Sequence, residues 1–181
     1  MKLTPSKLLA WFCLVQPVHA QWWIPEAPDN WTEGQNQYGA RHVRWEEDCF
    51  AVQVFEFNNA AGPLVGTLHL ENKCEAELRL HVNQAYLRDE EGFVIEPLNA
   101  GGTYADTTLR GGGKVMSDYA FSGIVLVPAV SKRGGNLNFS STWIKLHAKE
   151  TSFGLLIDGL FWDGKKQKLP LVSLKWHKKR P

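Results

Sequence analysis

The chain has 181 residues, of which 44% are hydrophobic and 12% aromatic, and its 20 basic and 19 acidic residues leave a formal charge of +1. A chain of this length suits one domain whose core is large enough to fold alone. The near-neutral charge argues against nucleic acid or a membrane surface as the partner, because proteins that bind either carry a basic excess.

Residues 1–20 have the pattern of a secretory signal peptide. Lys2 and Lys7 precede an apolar run over residues 8–15, and residues 18–20 supply the cleavage positions. We predict cleavage after Ala20 and a periplasmic or secreted protein. Because no other apolar run is long enough to cross a bilayer, we expect no transmembrane segment in the mature chain.

The cysteines fit an oxidising compartment. Cys13 lies in the predicted signal peptide, which leaves Cys49 and Cys74, 25 residues apart, in the mature chain. An even pair in an exported protein predicts a disulfide. A redox pair or a pair of metal ligands is the alternative, but neither cysteine belongs to a C-x-x-C motif.

Residues 21–48 differ in composition from the rest of the chain. In residues 21–31, Trp22, Trp23 and Trp31 stand among prolines, and neither a period of 2 nor one of 3.6 is visible. Because proline favours extended backbone, we predict an extended N-terminal arm with little regular structure. So much indole surface must be covered, so the arm packs on its own domain or anchors a partner.

From Cys49 the hydrophobic residues recur with period 2, which predicts half-buried β-strands. Residues 50–55, 64–71 and 78–82 each alternate in this way, and turn-forming residues at 58–63 separate the first two segments. An antiparallel hairpin about that turn brings Cys49 and Cys74 nearly opposite each other at its open end. The hairpin and the disulfide therefore support each other.

The later part of the chain continues the strand pattern. We predict a charged turn at 88–92, a strand at 121–130, a turn at 131–136, and strands near 143–149, 153–157 and 169–176. This makes about eight strands and no helix of twelve residues. The predicted fold is an all-β, antiparallel, immunoglobulin-like β-sandwich over residues 49–181.

One stretch resembles a known family. Leu64-Val65-Gly66-Thr67-Leu68-His69-Leu70-Glu71-Asn72 is followed by Leu78-x-Leu80-x-Val82 and by Tyr86-Leu87-x-Asp89-x-x-Gly92-x-Val94-Ile95. Together these segments resemble FxLYD-type immunoglobulin-like domains. The resemblance implies an exported or surface-facing β-sandwich without catalytic residues.

The sequence has none of the motifs G-x-S-x-G, S-x-x-K, H-E-x-x-H and G-x-x-x-x-G-K-[ST], and such motifs are typical of hydrolases, metalloproteases and nucleotide-binding enzymes. We therefore expect no enzymatic activity and no cofactor. His69, His81 and His147 lie at polar positions of predicted strands, and three imidazoles on one sheet face could hold zinc or copper. Because nothing in the sequence makes those strands neighbours, we expect no metal site.

Trp143 lies on the same face of the predicted strand as Lys145 and His147, which predicts an exposed indole. Exposed tryptophans anchor protein interfaces and stack on sugar rings. We expect a non-enzymatic structural or accessory subunit of a cell-envelope assembly of the secretion, conjugation or pilus type, which contacts other envelope proteins through Trp22, Trp23, Trp31 and Trp143. The alternative is a secreted carbohydrate-binding or adhesive module that uses Trp143, Trp162 or Trp176.

Overall fold

A computed structural model describes residues 21–59, 63–98, 115–117, 121–140 and 152–177, with the backbone alone at 115–117. These residues form fifteen β-strands and one short 3-10 turn at Val82–Gln84. The strands are β1 Trp22–Glu26, β2 Thr32–Gln35, β3 Arg41–Glu46, β4 Phe50–Asn58, β5 Leu64–Asn72, β6 Leu78–His81, β7 Ala85–Arg88, β8 Val94–Ile95, β9 Val115–Ser117, β10 Ile124–Val127, β11 Ser131–Phe139, β12 Ser152–Ile157, β13 Leu160–Trp162, β14 Lys165–Lys166 and β15 Val172–His177.

The strands form two sheets in a sandwich-like arrangement. The large sheet has eleven strands, with the main order β8-β7-β12-β15-β1-β4-β5-β11-β9 and with β2 and β3 attached beside β4. The small sheet has four strands in the order β10-β6-β13-β14. Neighbours pair antiparallel except β9 and β11, which are parallel. This confirms the predicted all-β, mainly antiparallel fold, and no helix in the described ranges could cross a membrane.

One hydrophobic core lies between the two sheets. The large sheet contributes the inward side chains of β5, where Leu64, Leu68 and Leu70 are at most 1% exposed. The small sheet contributes Leu80 of β6 and Val127 of β10, both fully buried in the same cluster. The period-2 pattern over residues 64–71 and 78–82 thus identified the core faces of β5 and β6 correctly.

The predicted hairpin and disulfide are both confirmed. β4 and β5 pair antiparallel from Phe50 opposite Asn72 to Asn58 opposite Val65. Cys49 and Cys74 are bonded just beyond the open end, with Cα atoms 5.0 Å apart. Beside the bridge, the buried Asn72 side chain donates a 3.1 Å hydrogen bond to the carbonyl of Val127 in β10. The large sheet is therefore fastened to the small one next to the disulfide.

The structure corrects the prediction of an irregular arm over residues 21–48. Most of this segment forms β1, β2 and β3 of the large sheet. β1 pairs with β15 on one side and with the end of β4 on the other, while β3 pairs with the beginning of β4. The backbone hydrogen bonds of the segment are satisfied by the sheet, so the segment is part of the domain.

The turn predicted at residues 131–136 is also wrong. These residues begin β11, which pairs with β5 along nine positions, and the chain turns earlier, between Pro128 and Ser131. Gly134 and Gly135 predicted a turn, but in the strand they leave space for the rings of His69 and Phe121. A Cβ on Gly135 would lie 2.4 Å from the ring of Phe121. Glycine is needed for close approach within the strand.

About eight strands were expected over residues 49–181, whereas the described residues of this range form twelve, β4 to β15. Short strands account for part of the difference, such as β13 and β14, which pair across the Asp163-Gly164 turn. Such two- or three-residue strands show no measurable alternation in a sequence. The strand predicted near 143–149 falls outside the described residues.

Replacing both Cys49 and Cys74 with serine should lower the free energy of unfolding by about 3–4 kcal/mol, because a closed loop of this size restricts the unfolded chain. Urea unfolding followed by tryptophan fluorescence measures the change, and the reduced wild-type protein should show the same loss. A loss below about 1 kcal/mol in both samples would contradict the stabilising role of the bridge.

Candidate functional site

Two of the tryptophans predicted to bind a partner belong to the hydrophobic core. Trp23 and Trp31 are 3% and 7% exposed, and both belong to the core. The Trp23 ring lies 6.0 Å from that of Phe153, and the Trp31 ring lies 5.8 Å from that of Trp45. Because the domain itself covers these two indoles, they are not available as anchors for a partner, which corrects that expectation. Trp22 is half-buried in β1.

Trp143, the fourth predicted anchor, lies outside the described residues. Two tryptophans named for the carbohydrate alternative can be placed. Trp162 packs against the core, whereas Trp176 in β15 is 37% exposed. Within the described ranges, Trp176 therefore presents the most open indole among the tryptophans considered for binding.

The histidines considered as metal ligands are not brought together. His69 lies on β5 of the large sheet and His81 on β6 of the small sheet, while His147 falls outside the described residues. His81 packs beside Phe161, with the ring centres 5.0 Å apart. In the part of the chain that the structure describes, no three histidine, cysteine or acidic side chains lie close enough to hold a metal ion.

A row of rings crosses the outer face of the large sheet. The ring of Phe55 in β4 lies 5.0 Å from that of His42 in β3 and 4.7 Å from that of His69 in β5. We call His42, Phe55 and His69 the imidazole row. A glycine lies under the ring at each end of the row. A Cβ on Gly34 would lie 2.8 Å from the ring of His42, and one on Gly134 would lie 2.7 Å from the ring of His69. The imidazoles cover Phe55, which is only 8% exposed despite facing outward.

This packing favours neutral imidazoles. Burial lowers the pKa of His42 below its usual value, the charge of Arg44 lowers it further, and the backbone of Ala40 partly opposes both. Burial also lowers the pKa of His69, with smaller contributions from His42 and Lys132. His69 is open to solvent on one side, and the ring of Phe55 packs against it. Phe55 lies on β4, between the strands that carry the two imidazoles.

A charge ladder lies beside the imidazole row. Arg44 contacts Glu46 at 2.8 Å and Glu71 at 2.9 Å, Lys73 contacts Glu46 at 2.6 Å, and Lys132 contacts Glu71 at 2.8 Å. Hydrogen bonds from Arg44 and Lys73 lower the pKa of Glu46 to about 2. Three cations and two carboxylates leave the ladder with a formal charge of +1, and each charged group has an ion-pair partner. The ladder therefore links β3, β5 and β11.

One cavity on the described surface lies beside the imidazole row. It encloses about 300 Å³ between Pro25 of β1 and the β2–β3 hairpin, where Glu33, Arg41 and His42 line it. β1 and β3 pair with different parts of β4, and the cavity lies between them. Its lining could hydrogen-bond a small polar group, but no buried charged side chain lines it.

The second cavity, which we call the acidic cavity, encloses about 210 Å³ between β7, β12 and residues 171–173. Asp89 and Glu90 line it. Asp89 is 5% exposed, and its Oδ1 accepts a 2.7 Å hydrogen bond from the backbone N–H of Phe93, which fixes the turn between β7 and β8. Its Oδ2 is buried and makes no hydrogen bond. The surrounding protein therefore satisfies this carboxylate only in part, and its Oδ2 has too little accessible surface to face the acidic cavity.

Sequence reasoning missed His42 and the role of Asp89. His42, Arg44 and Glu46 alternate with Val43 and Trp45, and this period-2 signal was available in the segment predicted to be irregular. Asp89 was identified only as part of a charged turn. Its burial depends on strands far away in the chain, such as β12, and local sequence carries no signal of that kind.

Comparison of the chain with family models, with curated proteins and with solved structures finds no match. The resemblance of residues 64–95 to FxLYD-type domains therefore stays a prediction from the sequence motifs.

We expect the stability of the protein to fall between pH 6.5 and pH 5 because of the imidazole row. The unfolded chain takes up protons near pH 6.5, while the folded chain resists protonation of His42 and His69. Since the unfolded state then binds more protons, acid favours unfolding. Urea unfolding at pH 7, 6 and 5 measures the loss.

The variant with His42→Gln and His69→Gln should lose less stability over the same pH interval, and His177→Gln, outside the row, serves as the control. Equal losses in the wild type and the double variant would exclude the row as the cause. Glu46 contributes little over this interval, because both its ordinary pKa of 4.5 and its folded pKa of about 2 lie below it.

Proposed function

We propose that this chain is an exported, non-enzymatic structural or accessory subunit of a cell-envelope assembly of the secretion, conjugation or pilus type. Export to the periplasm or beyond is supported by the signal pattern of residues 1–20 and by the Cys49–Cys74 disulfide, because such bonds persist in oxidising compartments. Two mainly antiparallel sheets that share one core support a β-sandwich, and we propose that it is immunoglobulin-like.

The observation that supports a contact function is a cluster of exposed apolar side chains after β7. Phe93, Val94 and Leu98 are 62%, 54% and 65% exposed within one six-residue stretch. We call these three residues the Phe93 patch. Concentrated apolar exposure of this kind marks surfaces that bind other proteins.

The position of the Phe93 patch suits an interface. Phe93 and Val94 lie on the β7–β8 hairpin, and β8 is a terminal strand in the order of the large sheet. Leu98 follows β8, and its backbone N–H donates a 2.7 Å hydrogen bond to the carbonyl of Asn138. Asp89 fixes the turn through the Phe93 amide, and Gly92 adopts a φ of +91° within it. A fixed turn presents Phe93 with a smaller loss of entropy on binding than a flexible loop would.

Replacing Phe93 and Leu98 together with serine should leave the fold intact, because both side chains are exposed, but should weaken partner binding. Loss of two interface anchors typically costs about 2 kcal/mol or more, which is about a 30-fold loss of affinity. Cross-linking in intact cells followed by mass spectrometry of the envelope fraction identifies the partners and measures their yield.

Tyr38→Ser is the matched control, because Tyr38 is 78% exposed on the separate β2–β3 turn. It should leave the cross-linked partners unchanged. If the Phe93/Leu98 variant captures the same envelope proteins with undiminished yield, the proposed contact surface is wrong.

Trp176 favours carbohydrate binding as a second candidate function. Its indole is 37% exposed at the end of β15, and exposed indoles provide flat surfaces for sugar rings. If this function is correct, the wild-type protein binds members of a glycan array and Trp176→Ala reduces the signal at least tenfold, within the range expected for loss of one aromatic anchor, about 1.4 kcal/mol or more. A blank array for the wild type would exclude this alternative.

A further inference from the structure

We propose that the mature N-terminus is modified: Gln21 cyclises to pyroglutamate, and the side chain of Asn59 binds the ring and promotes its formation. The inference rests on the proposed export of the chain, because cleavage after Ala20 is the step that gives Gln21 a free α-amine. It goes beyond the proposed contact function, since it assigns a covalent modification to the first residue of the mature domain.

Gln21 and Asn59 make three hydrogen bonds with each other. The backbone N–H of Gln21 donates a 2.9 Å bond to Oδ1 of Asn59, and Nδ2 of Asn59 donates a 2.9 Å bond to Oε1 of Gln21. The backbone N–H of Asn59 also donates a 3.3 Å bond to the carbonyl of Gln21. The first two bonds have the ordinary length for their type. One side-chain amide therefore holds both the backbone nitrogen and the side chain of Gln21.

The large sheet keeps these two residues opposite each other. Trp22, the first residue of β1, pairs with Asn58, the last residue of β4. Gln21 and Asn59 extend this antiparallel pairing by one position, and both are half-buried. The contact is therefore a property of the folded domain, and unfolding removes it.

The two bonds to the Asn59 side chain place the reacting groups of Gln21 together. Oδ1 and Nδ2 belong to one planar amide, so the nitrogen and the Oε1 that bind them lie side by side. A pyroglutamate ring presents its N–H and its carbonyl oxygen in the same way, so it can keep both bonds to Asn59. The ring also fixes the torsions that an open glutamine side chain must order to make these bonds. Asn59 thus matches the cyclised residue better than the open one.

The reaction needs no co-reactant. The neutral α-amine of Gln21 attacks Cδ of its own side chain, and the new bond between nitrogen and Cδ closes the lactam ring. The bond between Cδ and Nε2 breaks, and a proton from the attacking nitrogen leaves with Nε2 as ammonia. Negative charge develops on Oε1 during the attack, where the Nδ2–H of Asn59 stabilises it. The bond to Oδ1 orients the amine toward Cδ.

Intact-mass spectrometry of the mature protein tests the modification, after the full precursor is expressed and exported. We expect a chain that begins at residue 21 with a mass lower by one ammonia than the open form, and a pyroglutamate in its N-terminal peptide. A chain that begins at Gln21 and keeps its free amine on prolonged incubation would overturn the inference and leave the proposed export standing. A precursor that retains residues 1–20 would contradict both.

The rate of ammonia loss tests the role of Asn59. A protease that cuts directly before Gln21 releases the mature chain from a fusion protein at time zero, at pH 8, where about half of ordinary α-amines are neutral. Asn59→Ala should cyclise about tenfold more slowly than the wild type, the effect of one lost hydrogen bond on a reaction barrier. Asn59→Asp keeps the Oδ1 acceptor and loses the donor to Oε1, so it should also be slow.

Asn83→Ala is the matched control, because it removes an exposed asparagine from the 3-10 turn, and it should cyclise at the wild-type rate. Wild-type protein unfolded in urea should be as slow as Asn59→Ala, since the fold positions the two groups. Tryptophan fluorescence verifies that the variants are folded. Equal rates in the folded wild type, in Asn59→Asp and in the unfolded chain would show that Asn59 takes no part, and would overturn the inference.

Discussion

The pairing of β4 is the constraint on which the large sheet depends. One edge of β4 pairs with β5 along the hairpin, and the other edge pairs with β3 near Val54 and with β1 near Phe57. The N-terminal strands therefore join the sheet through β4, and β1 continues the sheet to β15. The disulfide between Cys49 and Cys74 closes the β4–β5 hairpin at its open end, so loss of this hairpin would disconnect the two halves of the sheet.

On both faces of the large sheet, a ring packs directly above a glycine in a strand. On the core side, Phe121 occupies the space that a side chain at Gly135 would need, and on the outer side His42 and His69 do the same above Gly34 and Gly134. The glycines thus lie in strands because neighbouring rings cover them. The charge ladder lies on the same outer face, where each of its charged side chains has an ion-pair partner.

The features that point to contact with other molecules lie elsewhere, on the β7–β8 hairpin. There, the apolar side chains of Phe93 and Val94 are exposed. These residues differ from the expected anchors, since Trp23 and Trp31 contribute to the core. The proposed interface therefore lies at an end of the large sheet and leaves the N-terminal strands to stabilise the domain.

The sequence by itself determined the all-β class, the β4–β5 hairpin, the disulfide and the inward face of β5, because alternation and cysteine spacing are local properties of the chain. Tertiary structure decided that Trp31 is core, that Gly134 lies in a strand, and that Asp89 is buried. Each of these outcomes depends on which distant segment packs against the residue, as β5 does against β11 and β12 against β7. Local periodicity contains no information about those neighbours, so only the folded chain could supply it.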